Sequence, residues 1–385
     1  MTGATHGAAA PAQHLHIVEP RADGHRMQYV RRLIEGAPAG TRISLSSFAS
    51  ALEHPGARAA LAAAASAVTV HTIDGERDFE QRTRGADGFG LQPAYWKLLR
   101  RHWRQLPPAA RGDVVIVPYL DYISYAIGLV GTPFGDTPFS GIAMRPDFHW
   151  AEQGVVAPPV RHRLLKRILF ERLLRHRRLR NLVTIDPSLR DWAADHAPRG
   201  HERLRYADDP SDLSGFGDRA AARAHFGLHV QASVLLLFGS IDLRKGVASL
   251  LDVAASPLFP ADGQVLIVGR QSDAARAAID AARARLPAHR FVIVDRYANR
   301  QDEWAAFVAA DYGWLAYEGF YGPSGVLAQC RQARLAVVYR VAGLIGYQLR
   351  DAAPIEVDWL QAHGLHVARP EAGASALHDI LQVMA

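Results

Sequence analysis

Two stretches carry residue types that could grip an anion. In the first, Leu235-Leu-Leu-Phe-Gly-Ser-Ile-Asp-Leu-Arg-Lys-Gly246, an apolar run ends at Gly239 and a short loop brings Arg244 and Lys245 to the start of the next helical stretch. A glycine there lets backbone approach a ligand closely. Two adjacent cations beside a helix start would hold a diphosphate, to which the helix N–H groups add. The second stretch is Tyr317-Glu-Gly-Phe-Tyr-Gly-Pro-Ser-Gly-Val-Leu-Ala328. Its glycine-rich loop follows a strand-like run, and a helix is expected from near Pro323, with Ser324 as a suitable cap. Ser324 and the N–H groups of Gly325 and Val326 would face an anion placed there. Glu318, at the carboxyl end of the strand, could accept hydrogen bonds from sugar hydroxyls. A plainer reading also fits: a solvated turn with routine Arg and Lys, and a capped helix with a loop glutamate.

Other chemistries lose their support. There is no GxGxxG after a strand and no GxxxxGK[ST], so dinucleotide and P-loop fingerprints are absent. HExxH and GxSxG are missing as well. The single cysteine, Cys330, excludes a disulfide framework and a multi-cysteine metal site, and fits a reducing compartment. The 18 histidines are scattered. The pairs His14/His16 and His225/His229 have ligand spacing but read as ordinary surface or core histidines, and no metal is expected. Met1–Gln13 has no basic stretch leading into an apolar one, so no secretory signal is expected. No apolar run is long enough to span a membrane.

The elements that must position these loops alternate along the 385 residues. Strand-like runs are 14–18, 42–48, 67–73, 113–120, 139–145 and 182–186, then 233–240, 264–270, 290–297, 312–317 and 335–340. Several are almost wholly apolar, as in strands buried on both faces of a parallel sheet. Helical stretches such as 57–67 and 273–286 lie between them, so the fold class is α/β. Eleven strands exceed one ordinary doubly wound sheet. The polar, turn-rich stretch 207–217 reads as a linker between an N-terminal domain, 1–206, and a C-terminal domain, 218–385. Each suits a Rossmann-like sheet, and two such domains facing each other would place the main site in a cleft between them.

The net charge is +6, and it is concentrated. Residues 161–180 hold nine Lys or Arg against one acid, Glu171, which makes that segment +8 and leaves the rest at −2. Its leucines and isoleucine recur at helical spacing. Three readings stand open: a surface helix with its leucines in the core, an anionic membrane surface, or an acidic macromolecule. The segment has only Phe170 to stack on a base, so nucleic acid is not expected.

The two loops together resemble those of GT-B glycosyltransferases, most closely the large retaining family that uses nucleotide sugars. Gly239 and Lys245 match the family's diphosphate-gripping Gly-Arg-x5-Lys-Gly loop in spacing, and Glu318-Gly319-Phe320 matches the start of its Glu-Gly-Phe-Gly…Glu element. Val337-Val338-Tyr339 and Gly343–Arg350 resemble the segment that follows, and Asp23-Gly24-His25-Arg26, before a helix over 27–34, resembles the glycine loop on the acceptor side. The resemblance implies a GT-B fold of two Rossmann-like domains. It implies sugar transfer from a UDP-, GDP- or TDP-sugar to a glycan, lipid-linked or small-molecule acceptor, as in polysaccharide biosynthesis, with no tightly bound cofactor. On the donor it places Gly239, Ser240, Arg244, Lys245, Glu318, Tyr321, Gly322, Ser324, Gly325 and Val326. On the acceptor side it places Gly24, His25, Asp121 and Arg145, with Asp23 and His149 as further catalytic candidates.

This sequence departs from the family in three places. Ser240 stands where an Arg follows the glycine, which leaves Arg244 to compensate. Val326 or Ala328 stands where a second Glu binds the ribose, and Arg145 occupies about the place of the family's N-domain histidine, with His149 four residues on. Related alternatives are a GT-B sugar-nucleotide epimerase and a non-catalytic sugar-nucleotide or glycan binder. The expected location is cytoplasmic, with 161–180 against the inner face of the plasma membrane if the membrane reading of that segment holds.

Overall fold

The computed structural model describes residues 14–22, 26–62, 64, 68–85, 88–196, 199–209 and 217–371. Asp23, Gly24 and His25, residues 1–13 and most of the 207–217 stretch lie outside the described residues. The chain forms two compact units.

The first unit comprises, among the described residues, 14–149 and 160–207. Its sheet holds β1 (His14–Val18), β2 (Arg42–Ser47), β3 (Val68–Thr72), β4 (Val114–Val117), β5 (Phe139–Ala143), β6 (Leu179–Thr184) and β7 (Leu204–Tyr206). The order is β3-β2-β1-β4-β5-β6-β7, with every pairing parallel. β1, β4 and β5 are buried along their whole length, and β4, Val114–Val117, is apolar throughout, as a strand covered on both faces requires. β3 is an edge strand, partly or fully exposed along its length.

The second unit comprises 150–159 and, among the described residues, 208–371. Residues 150–159 thus pack with the C-terminal half, although the sequence reading left them in the N-terminal domain; Val156 accepts a hydrogen bond from Gly343 N at 2.8 Å. The sheet holds β8 (Val234–Phe238), β9 (Gln264–Val268), β10 (Phe291–Val294), β11 (Tyr312–Trp314), β12 (Ala336–Tyr339) and β13 (His366–Ala368). Its order is β10-β9-β8-β11-β12-β13, parallel except for the antiparallel edge strand β13. Apolar residues from both faces of β8, β9 and β12 form two cores, one against each layer of helices.

Both sheets reverse strand order once near the middle, between β1 and β4 and between β8 and β11. Such a reversal opens a crevice beyond the carboxyl ends of the strands, where ligands of open α/β sheets bind.

Candidate functional site

Both sequence-marked loops leave the sheet at the β8/β11 reversal. After β8 the chain turns at Gly239, with φ +99°, and forms a short 3-10 turn, Leu243–Lys245, before the helix Val247–Ala255. Gly246 between them has φ +71°, and a Cβ there would meet Ala316 O at 2.2 Å, so the turn and the end of β11 touch through backbone alone. Trp314 Nε1 donates to Lys245 O at 3.0 Å and Glu318 N donates to Arg244 O at 2.8 Å. The two loops are therefore stitched into one surface.

Lys245 is the central group. Its ammonium donates to Phe238 O at 2.9 Å and to the Tyr317 hydroxyl at 3.0 Å, and lies 4.8 Å from the Tyr317 ring centroid. It stands 3.3 Å from where a Cβ on Gly239 would be. All its partners are neutral: among the described residues no carboxylate pairs with it. A half-buried ammonium fixed by carbonyl, phenol and ring keeps its charge uncompensated at the mouth of a glycine loop, which suits a phosphate oxygen.

Glu318 lies at the other side of this surface. Ser249 Oγ donates to Glu318 Oε1 at 2.5 Å, and Arg340 donates to Ser249 Oγ at 2.8 Å while standing 3.9 Å from Glu318 Oε1. Neither Ser249 nor Arg340 was singled out in the sequence. The available signal for Arg340 is its place one residue beyond the carboxyl end of β12; for Ser249 it is one helical turn from Lys245. Arg244 is turned toward Asp242, with Nη2 to Oδ2 at 2.6 Å, and is 65% exposed. Ser240 is exposed, and Tyr321, Gly322, Ser324, Gly325 and Val326 are half-buried. The helix starts at Gly325, two residues later than Pro323, and runs to Gln332. Ser324 makes no side-chain cap bond, and the first N–H groups of the helix have no intrahelical acceptor. Val326 and the buried Ala328 carry no group that could take over the ribose contact of an absent glutamate.

The first unit has its own reversal, between β1 and β4; Asp121 follows β4 there, whereas His149 lies beyond β5, and the structure corrects the expectation for both. His149 is fully buried, its Nε2 2.9 Å from Ser188 Oγ and 3.1 Å from Asp186 Oδ2, and packed against Phe148 and Trp192. It braces the core and is not open to a substrate. Asp121 spends both carboxylate oxygens on backbone, accepting from Met144 N at 2.9 Å and Arg145 N at 2.8 Å. Burial of its carboxyl group raises its pKa, and those two bonds act in the opposite direction. Asp121 thus shapes the exit of β5, while the Arg145 side chain is exposed. At the same reversal the buried pair Glu19 and Arg26 meets at 3.3 Å, with the guanidinium 4.5 Å from the ring centroids of Tyr119 and Tyr122. Burial and the neighbouring Asp121 push the Tyr119 hydroxyl up to about 12.

No group of three or more His, Cys, Asp or Glu among the described residues is placed to hold a metal ion. His14 and His16 bond instead to Ser44 and Ser46, at 2.9 and 2.7 Å, and His225 to Asp302 at 3.1 Å.

No protein-family model matches the chain, and no curated protein sequence matches it. Solved structures do. Sucrose-phosphate synthase of Thermosynechococcus elongatus is 15% identical, with a TM-score of 0.59 over 88% of this chain and 83% of that one. HepE of Anabaena, solved with UDP and glucose, is 14% identical, with a TM-score of 0.55 over 87% and 83%. WaaG, a glycosyltransferase involved in lipopolysaccharide biosynthesis, is 15% identical, with a TM-score of 0.50 over 86% and 83%. At such identities the likeness speaks for architecture. The expected fold is borne out: this chain carries two Rossmann-like α/β units and has the GT-B fold.

Proposed function

We propose that the protein is a glycosyltransferase that moves a sugar from a nucleotide-diphosphate sugar to a glycan, lipid-linked or small-molecule acceptor. The observation that carries this reading is Lys245, a cation without a carboxylate, fixed at the β8/β11 reversal beside a glycine turn and an uncapped helix start. A nucleotide-sugar donor is further supported by HepE, which shares the fold and was solved with UDP and glucose.

In the reaction, the bond between the anomeric carbon and the diphosphate oxygen breaks and a bond to the acceptor oxygen forms. Negative charge grows on the leaving diphosphate. Lys245 and the N–H groups at Gly325 and Val326 meet it from fixed positions, so little reorganisation is needed as the bond breaks. Arg244 joins them when it leaves Asp242. Such a cation set supplies the charge that a divalent ion would otherwise bring, and we infer a metal-independent reaction. Glu318, oriented by Ser249 and Arg340, accepts from the donor sugar's hydroxyls. We infer retention of anomeric configuration. An inverting reaction would need a dedicated base, and the burial of His149 leaves Asp23 as its candidate.

Glu318→Gln keeps the shape and removes the charge. It is expected to slow nucleotide release from the donor by about 10- to 100-fold, the worth of a hydrogen bond to a charged group. Affinity for the free nucleoside diphosphate should stay within about twofold, because Glu318 faces the sugar and not the phosphates. Parallel loss of both, or loss of neither, would contradict this assignment.

A further inference from the structure

The basic helix is the feature that the donor site does not use. It runs from Arg163 to Leu174, and only part of its apolar content is in the core. Leu169, Phe170, Leu173 and Leu174 are buried. On the opposite side Leu164, Leu165 and Ile168 are 70%, 45% and 45% exposed. At 100° per residue these three fall within a single outward stripe, which Arg172 and Arg175 continue. The lone acid, Glu171, is bound on both sides, by Arg167 at 3.0 Å and Arg175 at 2.9 Å. Arg161 and Arg172 have no acidic partner among the described residues.

Neighbouring helices extend the same character. Gly128, in the helix Ser124–Val130, lets that helix approach so closely that a Cβ there would lie 2.0 Å from Leu169 O. Leu129 and Val130 at its end are more than half exposed. Gly131 O next to them accepts from Trp96 Nε1 at 2.7 Å. Trp96 belongs to the helix Gly88–Gln105, which bears Lys97, Arg100, Arg101 and Arg104 and no acid.

We propose that this face of the first unit docks on an anionic lipid bilayer, with Leu164, Leu165 and Ile168 entering the headgroup region and the surrounding arginines pairing with lipid phosphates. A stripe of exposed aliphatic side chains framed by cations, of which Arg161 and Arg172 have no acidic partner among the described residues, matches a surface that is apolar within and anionic at its rim. A nucleic acid would meet the cations but gain nothing from three exposed aliphatic residues. The inference stands apart from the donor-site reading, because none of these residues belongs to that site. Among the described residues no helix is long and apolar enough to cross a membrane, so attachment of this kind is peripheral.

The test is sedimentation of the full chain with phosphatidylcholine vesicles, with or without about 30 mol% phosphatidylglycerol. The protein should partition to the anionic vesicles only, and release as salt approaches about 1 M, where screening shrinks to about 3 Å. Arg161→Gln with Arg172→Gln and Arg175→Gln should lower the partition coefficient by about a hundredfold, near fivefold for each charge. Leu164→Ser with Leu165→Ser and Ile168→Ser, all at exposed positions, should lower it at least about tenfold with an unchanged melting temperature. Equal non-binding to both vesicle types would overturn the proposal, as would full binding by the triple-serine variant. If the wild type forms a dimer that the triple-serine variant lacks, and vesicles are ignored, the face belongs to a second copy of this chain and the lipid assignment is wrong.

Discussion

Lys245→Ala is expected to slow nucleotide release from the donor sugar by about 10²- to 10³-fold, the usual effect of removing one fixed donor from a developing oxyanion. The size follows from how the side chain is held. Phe238 O, the Tyr317 hydroxyl and the Tyr317 ring fix the ammonium before any ligand arrives, so its charge is fully available when the leaving diphosphate becomes more negative. Arg244 cannot replace it. That guanidinium is exposed and engaged with Asp242, and would have to move at an entropic cost. Lys245→Arg should recover little, because a planar fork does not fit between a carbonyl and a phenol shaped around a single ammonium. Steady-state release of nucleoside diphosphate, with a melting curve as the folding control, reads the effect. A well-folded alanine variant with unchanged turnover would remove Lys245 from the mechanism.

The second large effect is on stability, and it arises in the first unit. His14 and His16 of β1 and His71 of β3 lie with His102 around Ser44 and Ser46 of β2. His16 stacks on His71 with centroids 5.6 Å apart and meets the Trp103 edge at 5.1 Å. Burial holds His16 down to about 3 and His102 to about 4, and lowers His14 and His71 as well. The charged groups facing the cluster are Arg42 and Asp113 beside His14, and Asp74 beside His102. The folded state keeps these rings neutral, whereas the unfolded chain protonates them near pH 6.5. Between those values the unfolded state binds more protons, so stability is full above about pH 6.5 and falls as the pH drops toward 4. At pH 5, His16 and His102 each cost about 2 kcal/mol relative to neutral pH. For a unit of this size that lowers melting by roughly 8–16 °C. Melting of the wild type across pH 5 to 8 measures it, and His102→Gln should make the slope shallower. A flat profile would mean that the cluster is hydrated and charged in the folded protein.

The loops were legible because their chemistry is local. Gly239, Lys245, Glu318 and Ser324 each lie within a few residues of the strand end or helix start that positions them, and apolar runs mark those strands. Residues whose role depends on distant partners were not legible. His149 and Asp186 are 37 residues apart, and nothing near His149 announces a buried imidazole bonded to a later strand's exit. Arg340 and Ser249 meet across 91 residues. The edge strands β7 and β13 are three residues each and lack an apolar run, so the sequence shows eleven strands where thirteen form among the described residues. In 161–180 the helical period was plain, but which leucines would be covered depends on the helices that pack there.

Thermal melting against UDP, GDP, TDP, ADP and CMP and their sugars tests the central claim most directly. A ligand at about 100 times its dissociation constant adds about 2.7 kcal/mol to the state that binds it. The account predicts a clear rise in melting temperature with the nucleotides of one base, and loss of that rise in Lys245→Ala while the unliganded variant melts close to the wild type. No rise with any nucleotide, or a rise that survives in Lys245→Ala, would contradict a donor site at the β8/β11 reversal.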